Sequence, residues 1–135
     1  DIIRVLDEER YIPVISPIAM DETGQSYNIN ADHAAADLAG ALQARKFVLL
    51  TDVRGVLRDA SDPGTLIATM TRDEIVRLQG DGVIKGGMIP KTNACLRALE
   101  RGVRKSHILD GRLPHALLLE LLTQPGVGTE IVQEG

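Results

Sequence analysis

Residues 46–50, Lys-Phe-Val-Leu-Leu, form a short and almost unbroken apolar run. An alternating pattern leaves one face of a strand to water, whereas an unbroken one fits a strand covered on both faces, as in a parallel sheet between helices. The flanking segments agree. Ala31–Gln43 has helical spacing, with Asn30 as its N-cap and a small inner face of Ala31, Ala34, Ala35, Leu38 and Leu42 that permits close approach to a sheet. Tyr11–Ile18 reads as a strand, and the Asp21-Glu22-Thr23-Gly24 cluster after it as a hairpin turn. Gly55, Pro63 and Gly64 punctuate a looser stretch, with Leu66–Met70 a strand or turn. Thr71-Arg72-Asp73-Glu74 is a capping box opening a helix to about Leu78. Then come a helix from Ile89 or Pro90 to Arg101, a strand at Lys105–Asp110, a helix from Pro114 to Leu122 and a strand near Thr129–Val132. This alternation predicts an α/β fold, a three-layer sandwich with a mainly parallel sheet between helices.

A chain of 135 residues is one domain's worth, enough to bury one core. With 44% apolar but only 2% aromatic residues, that core has to be built from Ile, Leu, Val and Ala. The net charge of −4, with no basic block, argues against nucleic acid as a partner. No apolar run approaches the roughly 20 residues needed to span a bilayer, so no membrane association is expected. The single cysteine, Cys95, excludes an internal disulfide and suits a reducing cytoplasm; its place beside Leu99 makes it a small hydrophobe. The opening words Asp-Ile-Ile-Arg-Val-Leu, without methionine, read as the interior of a longer protein.

Gly-Gly-Met-Ile-Pro-Lys at 86–91 sets Lys91 at the start of a helix whose first turn contains Pro90. The partial positive charge of a helix N-terminus disfavours a lysine there. A bound anion such as phosphate turns the penalty into attraction from the lysine and from free N–H groups. A lysine stem lying over apolar surface is the plain structural alternative. Tyr27-Asn28-Ile29-Asn30-Ala31-Asp32 places short polar side chains at every second position; Asn30 and Asp32 also suit an N-cap and a first-turn acid. Thr51-Asp52-Val53-Arg54-Gly55 leaves the apolar strand where ligands gather in open α/β sheets. In the last third, Leu117, Leu118, Leu121 and Leu122 read as the inner face of a helix, which directs Glu120 away from the core. Gly126 and Gly128 bracket a turn whose N–H groups suit a carboxylate or phosphate. His107 lacks partners at metal-ligand spacing, so no protein metal site is expected.

Taken in order, Tyr-Asn-Ile-Asn-Ala-Asp (27–32), Leu-Leu-Thr-Asp-Val-Arg-Gly-Val-Leu (49–57), Gly-Gly-Met-Ile-Pro-Lys (86–91) and His-Ile-Leu-Asp-Gly-Arg (107–112) resemble the N-acetylglutamate kinases of the amino acid kinase family. The resemblance covers essentially the whole chain but only the carboxyl-terminal half of such an enzyme. The amino-terminal half, with a glycine-rich phosphate loop, a second catalytic lysine and most of the acyl-amino-acid pocket, has no counterpart here. It implies a carbamate kinase-like fold in which residues 1–135 form the carboxyl-terminal, ATP-binding lobe. It implies transfer of the γ-phosphate of Mg·ATP to the γ-carboxylate of N-acetyl-L-glutamate, giving an acyl phosphate in arginine biosynthesis, with the isolated chain inactive.

Residue by residue, Lys91 would match the lysine that steadies the transferring phosphoryl group, and Asp32 the acid that orients the catalytic lysines. Asn28, with Asn30 beside it, would contact N-acetylglutamate. Thr51, Asp52, Val53, Gly55, Gly87 and Met88 would surround the nucleotide. His107, Glu120, Gly126 and Gly128 would fall where arginine-inhibited members hold that effector, although the amino-terminal helix that completes the site and builds the oligomer in those relatives is missing from this chain. The alternatives are a stand-alone, non-catalytic nucleotide-binding module, or another member such as a carbamate kinase or glutamate 5-kinase.

Overall fold

A computed structural model describes residues 2–133. Helix α1 (Ile2–Glu8) leads to a hairpin of β1 (Ile18–Met20) and β2 (Ser26–Asn28), and then α2 (Ala31–Ala41) and β3 (Lys46–Thr51) follow. After a 3₁₀ turn at Pro63–Thr65 come β4 (Thr69–Thr71), α3 (Arg72–Gly80), α4 (Met88–Glu100), β5 (Lys105–Asp110), α5 (Ala116–Leu122) and β6 (Thr129–Val132). The main sheet has the order β3-β5-β6-β4. β3 and β5 run parallel from Lys46↔Lys105 to Thr51↔Asp110, β4 and β6 are also parallel, and β5 and β6 are antiparallel. The mostly parallel sheet between helices is the expected architecture.

The local signals explain most of the elements. Asn30 caps α2 by accepting from the His33 N–H at 3.0 Å. Thr71 and Glu74 form a reciprocal capping box on α3. Asp21 closes the hairpin by accepting from the N–H groups of Thr23 and Gln25 and from the hydroxyls of Thr23 and Tyr27. Phe47 is the one aromatic residue of the core among the described residues; Ile75, Ile84, Ala94, Cys95, Ala98, Ile108 and Ile131 are among its most deeply buried residues.

Three expectations change. Tyr11–Ile18 is a strand only at its last residue, because Pro13 and Pro17 lack N–H groups and no described strand lies against 11–16; Ile12 and Val14 are more than nine-tenths exposed. The buried face of α2 is Ala36, Ala39 and Gly40, not the face through Ala31 and Leu38. The helix packs chiefly against α4, close enough that a Cβ on Gly40 would lie 2.5 Å from the Arg101 Cβ, and Asp37 bridges Arg97 and Arg101 across the contact. The third change is in α5, where Ala116 and Glu120 are buried while Leu117, Leu118 and Leu122 face outward. One turn apart, the alanine and the glutamate set the inner face.

Candidate active site

The packing of α2 on α4 brings the first turns of both helices together. Asp32 lies in the first turn of α2 and Lys91 in that of α4, with Lys91 Nζ 3.8 Å from Asp32 Oδ2 and each side chain a little over a quarter exposed. At that exposure water weakens the pair, and the ammonium stays accessible to an anion. Gly87 caps α4 without a side-chain bond. The free N–H groups expected here are in use, however. Those of Met88 and Ile89 donate to the Lys85 and Gly86 carbonyls, both at 3.2 Å, and Pro90 has none. Attraction for an anion therefore rests on lysine charge and the helix dipole.

Beside the pair is a cavity of about 310 Å³, walled by the loop after β3 and by the α3–α4 connection. Asp52, Val53, Gly55, Gly87, Met88 and Lys91 line it. Thr51 does not: its hydroxyl donates to the Val53 carbonyl at 2.9 Å and accepts from the Val53 N–H, closing a local turn. Val56, Leu57, Ala60, Val83, Ile84 and Lys85 complete the wall and were missed from sequence. The signal was present in Gly82-Val-Ile-Lys, an apolar pair and a lysine just before the glycines. An apolar slot with two lysines, Lys85 and Lys91, among its lining suits a ligand with an apolar body and an anionic group. Asn28 ends β2 and is exposed; Asn30 is exposed too, its side-chain oxygen committed to the α2 cap. Among the described residues no group of three or more His, Cys, Asp or Glu could hold a metal ion.

His107, Glu120, Gly126 and Gly128 also come together, though not as the sequence suggests. Glu120 turns inward, its side chain 3% exposed. His107 Nδ1 lies 2.8 Å from Oε1, and Oε2 accepts from the N–H groups of Val127 at 2.7 Å and Gly128 at 2.9 Å. Burial works against the charge of Glu120, but these bonds outweigh it and hold the carboxyl below its ordinary value. Both glycines are sterically required: a Cβ on Gly126 would strike the Glu120 carboxylate, and one on Gly128 the Ile108 carbonyl. A polar cavity of about 660 Å³ opens over this knot, with Lys46, Lys105, Glu130 and Gln124 on its walls. Cys95 is fully buried, and burial raises its thiol far out of the reactive range.

Comparison with known proteins shows the family. The amino acid kinase family model matches residues 1–110. The acetylglutamate kinase of Heliobacterium modesticaldum is 54% identical over 132 residues, which make up 98% of this chain and 45% of that protein. The chain thus spans less than half the length of the curated relatives it matches. N-acetylglutamate synthase from Neisseria gonorrhoeae, solved with coenzyme A and L-arginine, superimposes with a TM-score of 0.90 at 31% identity, over 99% of this chain and 30% of that one. Carbamate kinase from Giardia lamblia shares the fold, with a TM-score of 0.62 at 24% identity over 84% of this chain and 36% of its own. On the family match over most of its length and the sheet topology behind it, the chain belongs to the amino acid kinase family.

Proposed function

We propose that this chain supplies the ATP-binding lobe of an N-acetylglutamate kinase. In that reaction the γ-carboxylate of N-acetyl-L-glutamate attacks the γ-phosphate of Mg·ATP in line, ADP leaves, and an acyl phosphate forms. The carboxylate is ionised at neutral pH, so no general base is required, and the protein's task is positioning and charge neutralisation. The observation that carries the reading is Lys91: it lines the apolar cavity and stands 3.8 Å from Asp32 at the paired helix starts. The adenosine would lie against Val56, Leu57, Val83 and Met88, with the phosphates toward Lys85 and Lys91. Asp32 would orient the Lys91 ammonium, and Asn28 would face the acyl amino acid. The relatives that resemble the chain over nearly its whole length support this substrate pair, including the acetylglutamate kinase at 54% identity.

Arginine is the effector that best fits the polar cavity over Glu120. The N. gonorrhoeae synthase, 31% identical, is solved with L-arginine. Glu120 is already engaged with His107, so its carboxylate would hold the walls of such a site as much as touch a guanidinium. A homo-oligomer and a cytoplasmic setting complete the reading.

Titration of the 135-residue chain with Mg·ADP in a calorimeter tests the nucleotide assignment. Saturable one-to-one binding, weakened by Lys85→Ala, is expected. No heat from a chain that is folded by circular dichroism overturns the assignment.

A further inference from the structure

We propose that Thr129 is a positioning residue for the nucleotide cavity: its buried hydroxyl fixes the Gly55–Val56 wall and ties that wall to the loop held by Glu120. The proposal rests on reading that cavity as the nucleotide site. Thr129 opens β6, is fully buried and is not itself on the cavity wall. Its hydroxyl oxygen accepts from the N–H of Val56 at 2.9 Å, across 73 residues of sequence. The preceding Gly55 has φ +149, in the region that favours glycine, and a Cβ there would lie 2.6 Å from the Thr129 hydroxyl oxygen. The loop backbone therefore rests directly on this threonine. From the other side the Val56 carbonyl accepts from the Ile67 N–H at 2.9 Å. Val56 is thus held at both of its backbone polar groups, and it forms cavity wall.

On its other flank Thr129 follows Gly128, whose N–H donates to Glu120 at 2.9 Å. Glu120 in turn meets His107 at 2.8 Å. The bonds run without a gap from His107 through Glu120, the Gly128–Thr129 backbone and the Thr129 hydroxyl to the nucleotide wall. The bond Thr129 makes could be lost with little change in side-chain volume, which makes the role testable.

Thr129→Val keeps the volume and removes the acceptor; Thr129→Ser keeps the acceptor and loses a methyl. We expect Mg·ADP to bind the Val variant about tenfold more weakly, and the Ser variant within about twofold of the parent chain. Faster exchange of the Val56 amide should accompany the loss in Thr129→Val. A purely structural residue would lower the melting temperature of both variants and leave the ADP affinity of the folded chain unchanged; that result overturns the proposal. Should Thr129→Val fail to fold, Thr129→Cys takes its place, since sulfur is a weak acceptor of similar size. A parent chain that binds no Mg·ADP overturns the nucleotide reading and this proposal together, whereas a parent that binds and a folded, acceptor-free variant that binds equally well overturn this one alone. In a double-mutant cycle Glu120→Gln and Thr129→Val should be non-additive in ADP affinity. Additive losses overturn the link to Glu120.

Discussion

The Nδ1 of His107 and the Oε1 of Glu120 stand 2.8 Å apart inside the protein, with side chains 2% and 3% exposed. An ionised Glu120 can only accept, so the His107 proton is assigned to Nδ1, and Nε2 is left without a partner among the described residues. Glu120→Ala would strand that imidazole and the N–H groups of Val127 and Gly128. A loss of about 3 kcal/mol in urea unfolding is expected, in line with breaking one side of a buried hydrogen-bonded pair. Glu120→Gln, which keeps an acceptor oxygen, should lose less. A loss below about 0.5 kcal/mol for the alanine variant, the range of ordinary surface substitutions, would refute the buried knot.

The same residue sets a pH dependence with a definite sign. Its folded pKa lies below the ordinary value of 4.5, since the bonds from His107, Gly128 and Val127 outweigh the opposing effect of burial. The folded state then binds fewer protons, so the stabilisation is complete above about pH 5 and is lost as pH falls through the folded value. Asp110, lowered to about 2 by its bonds from Arg112, acts in the same direction at still lower pH. The urea midpoint should drop from pH 5 to pH 3 in the parent chain and more shallowly in Glu120→Gln. Parallel curves would remove Glu120 as a source of the dependence.

The parts of the fold legible in sequence are those governed by local chemistry. The Asn30 cap and the Thr71–Glu74 box each act within a few residues and formed as expected. The apolar run of β3 gave a strand, but at the edge of the sheet with Leu50 58% exposed rather than covered on both faces. The errors came where long-range packing chose between faces. Leu117, Leu118, Leu121 and Leu122 look like a core stripe, yet a sheet residue, His107, draws Glu120 inward, and Leu117, Leu118 and Leu122 turn out. The α2 alanines likewise read as a sheet-facing surface, and the helix that packs on Gly40 lies some 60 residues on. In the site, Lys91 stands out in sequence because a lysine is misplaced at a helix start, whereas Asp32 suits a first-turn acid and is singled out by the family resemblance. Lys85, Val56 and Val83 are ordinary alone and gain meaning only from the cavity that joins them.

The outward leucines provide a direct check on α5. Leu122 is 77% exposed and Leu118 is 56% exposed. Leu122→Lys should change stability by no more than about 0.5 kcal/mol, as at other exposed positions. If these leucines were core residues the cost would be about 2–5 kcal/mol, a difference that thermal unfolding of the single variant resolves.

Gly40 tests the contact between α2 and α4. In a free helix Gly→Ala is favourable by about 1 kcal/mol. Here the added methyl would meet the Arg101 Cβ at 2.5 Å, an atom fixed to the α4 backbone. Moving one helix off the other also disturbs the Asp37 bridge to Arg97 and Arg101 and the buried Ala36 and Ala39. Gly40→Ala should therefore destabilise, by about 1–2 kcal/mol net of the helix gain. A stabilised variant in denaturant titration would mean that the helices are farther apart.

The strongest prediction about activity concerns Lys91, tested in a full-length acetylglutamate kinase carrying this sequence as its ATP-binding lobe. The ammonium is held by position rather than by a tight ion pair: Asp32 is 3.8 Å away, and both groups remain partly in water. A cation so placed can follow negative charge as it builds on the transferring phosphoryl group. Lys91→Ala should then lower kcat on the order of 10²-fold or more, with a smaller effect on KM for ATP, because the interaction lost is one made chiefly in the transition state. Lys91→Arg should recover only part of the loss, since a planar guanidinium does not reproduce a compact point charge beside Asp32. Asp32→Asn should affect kcat in the same direction while leaving Mg·ADP binding within about twofold, as befits a group that orients the lysine and does not line the cavity. Steady-state kinetics of the three variants decide the matter, and a Lys91→Ala enzyme within tenfold of the parent would exclude this lysine from phosphoryl transfer.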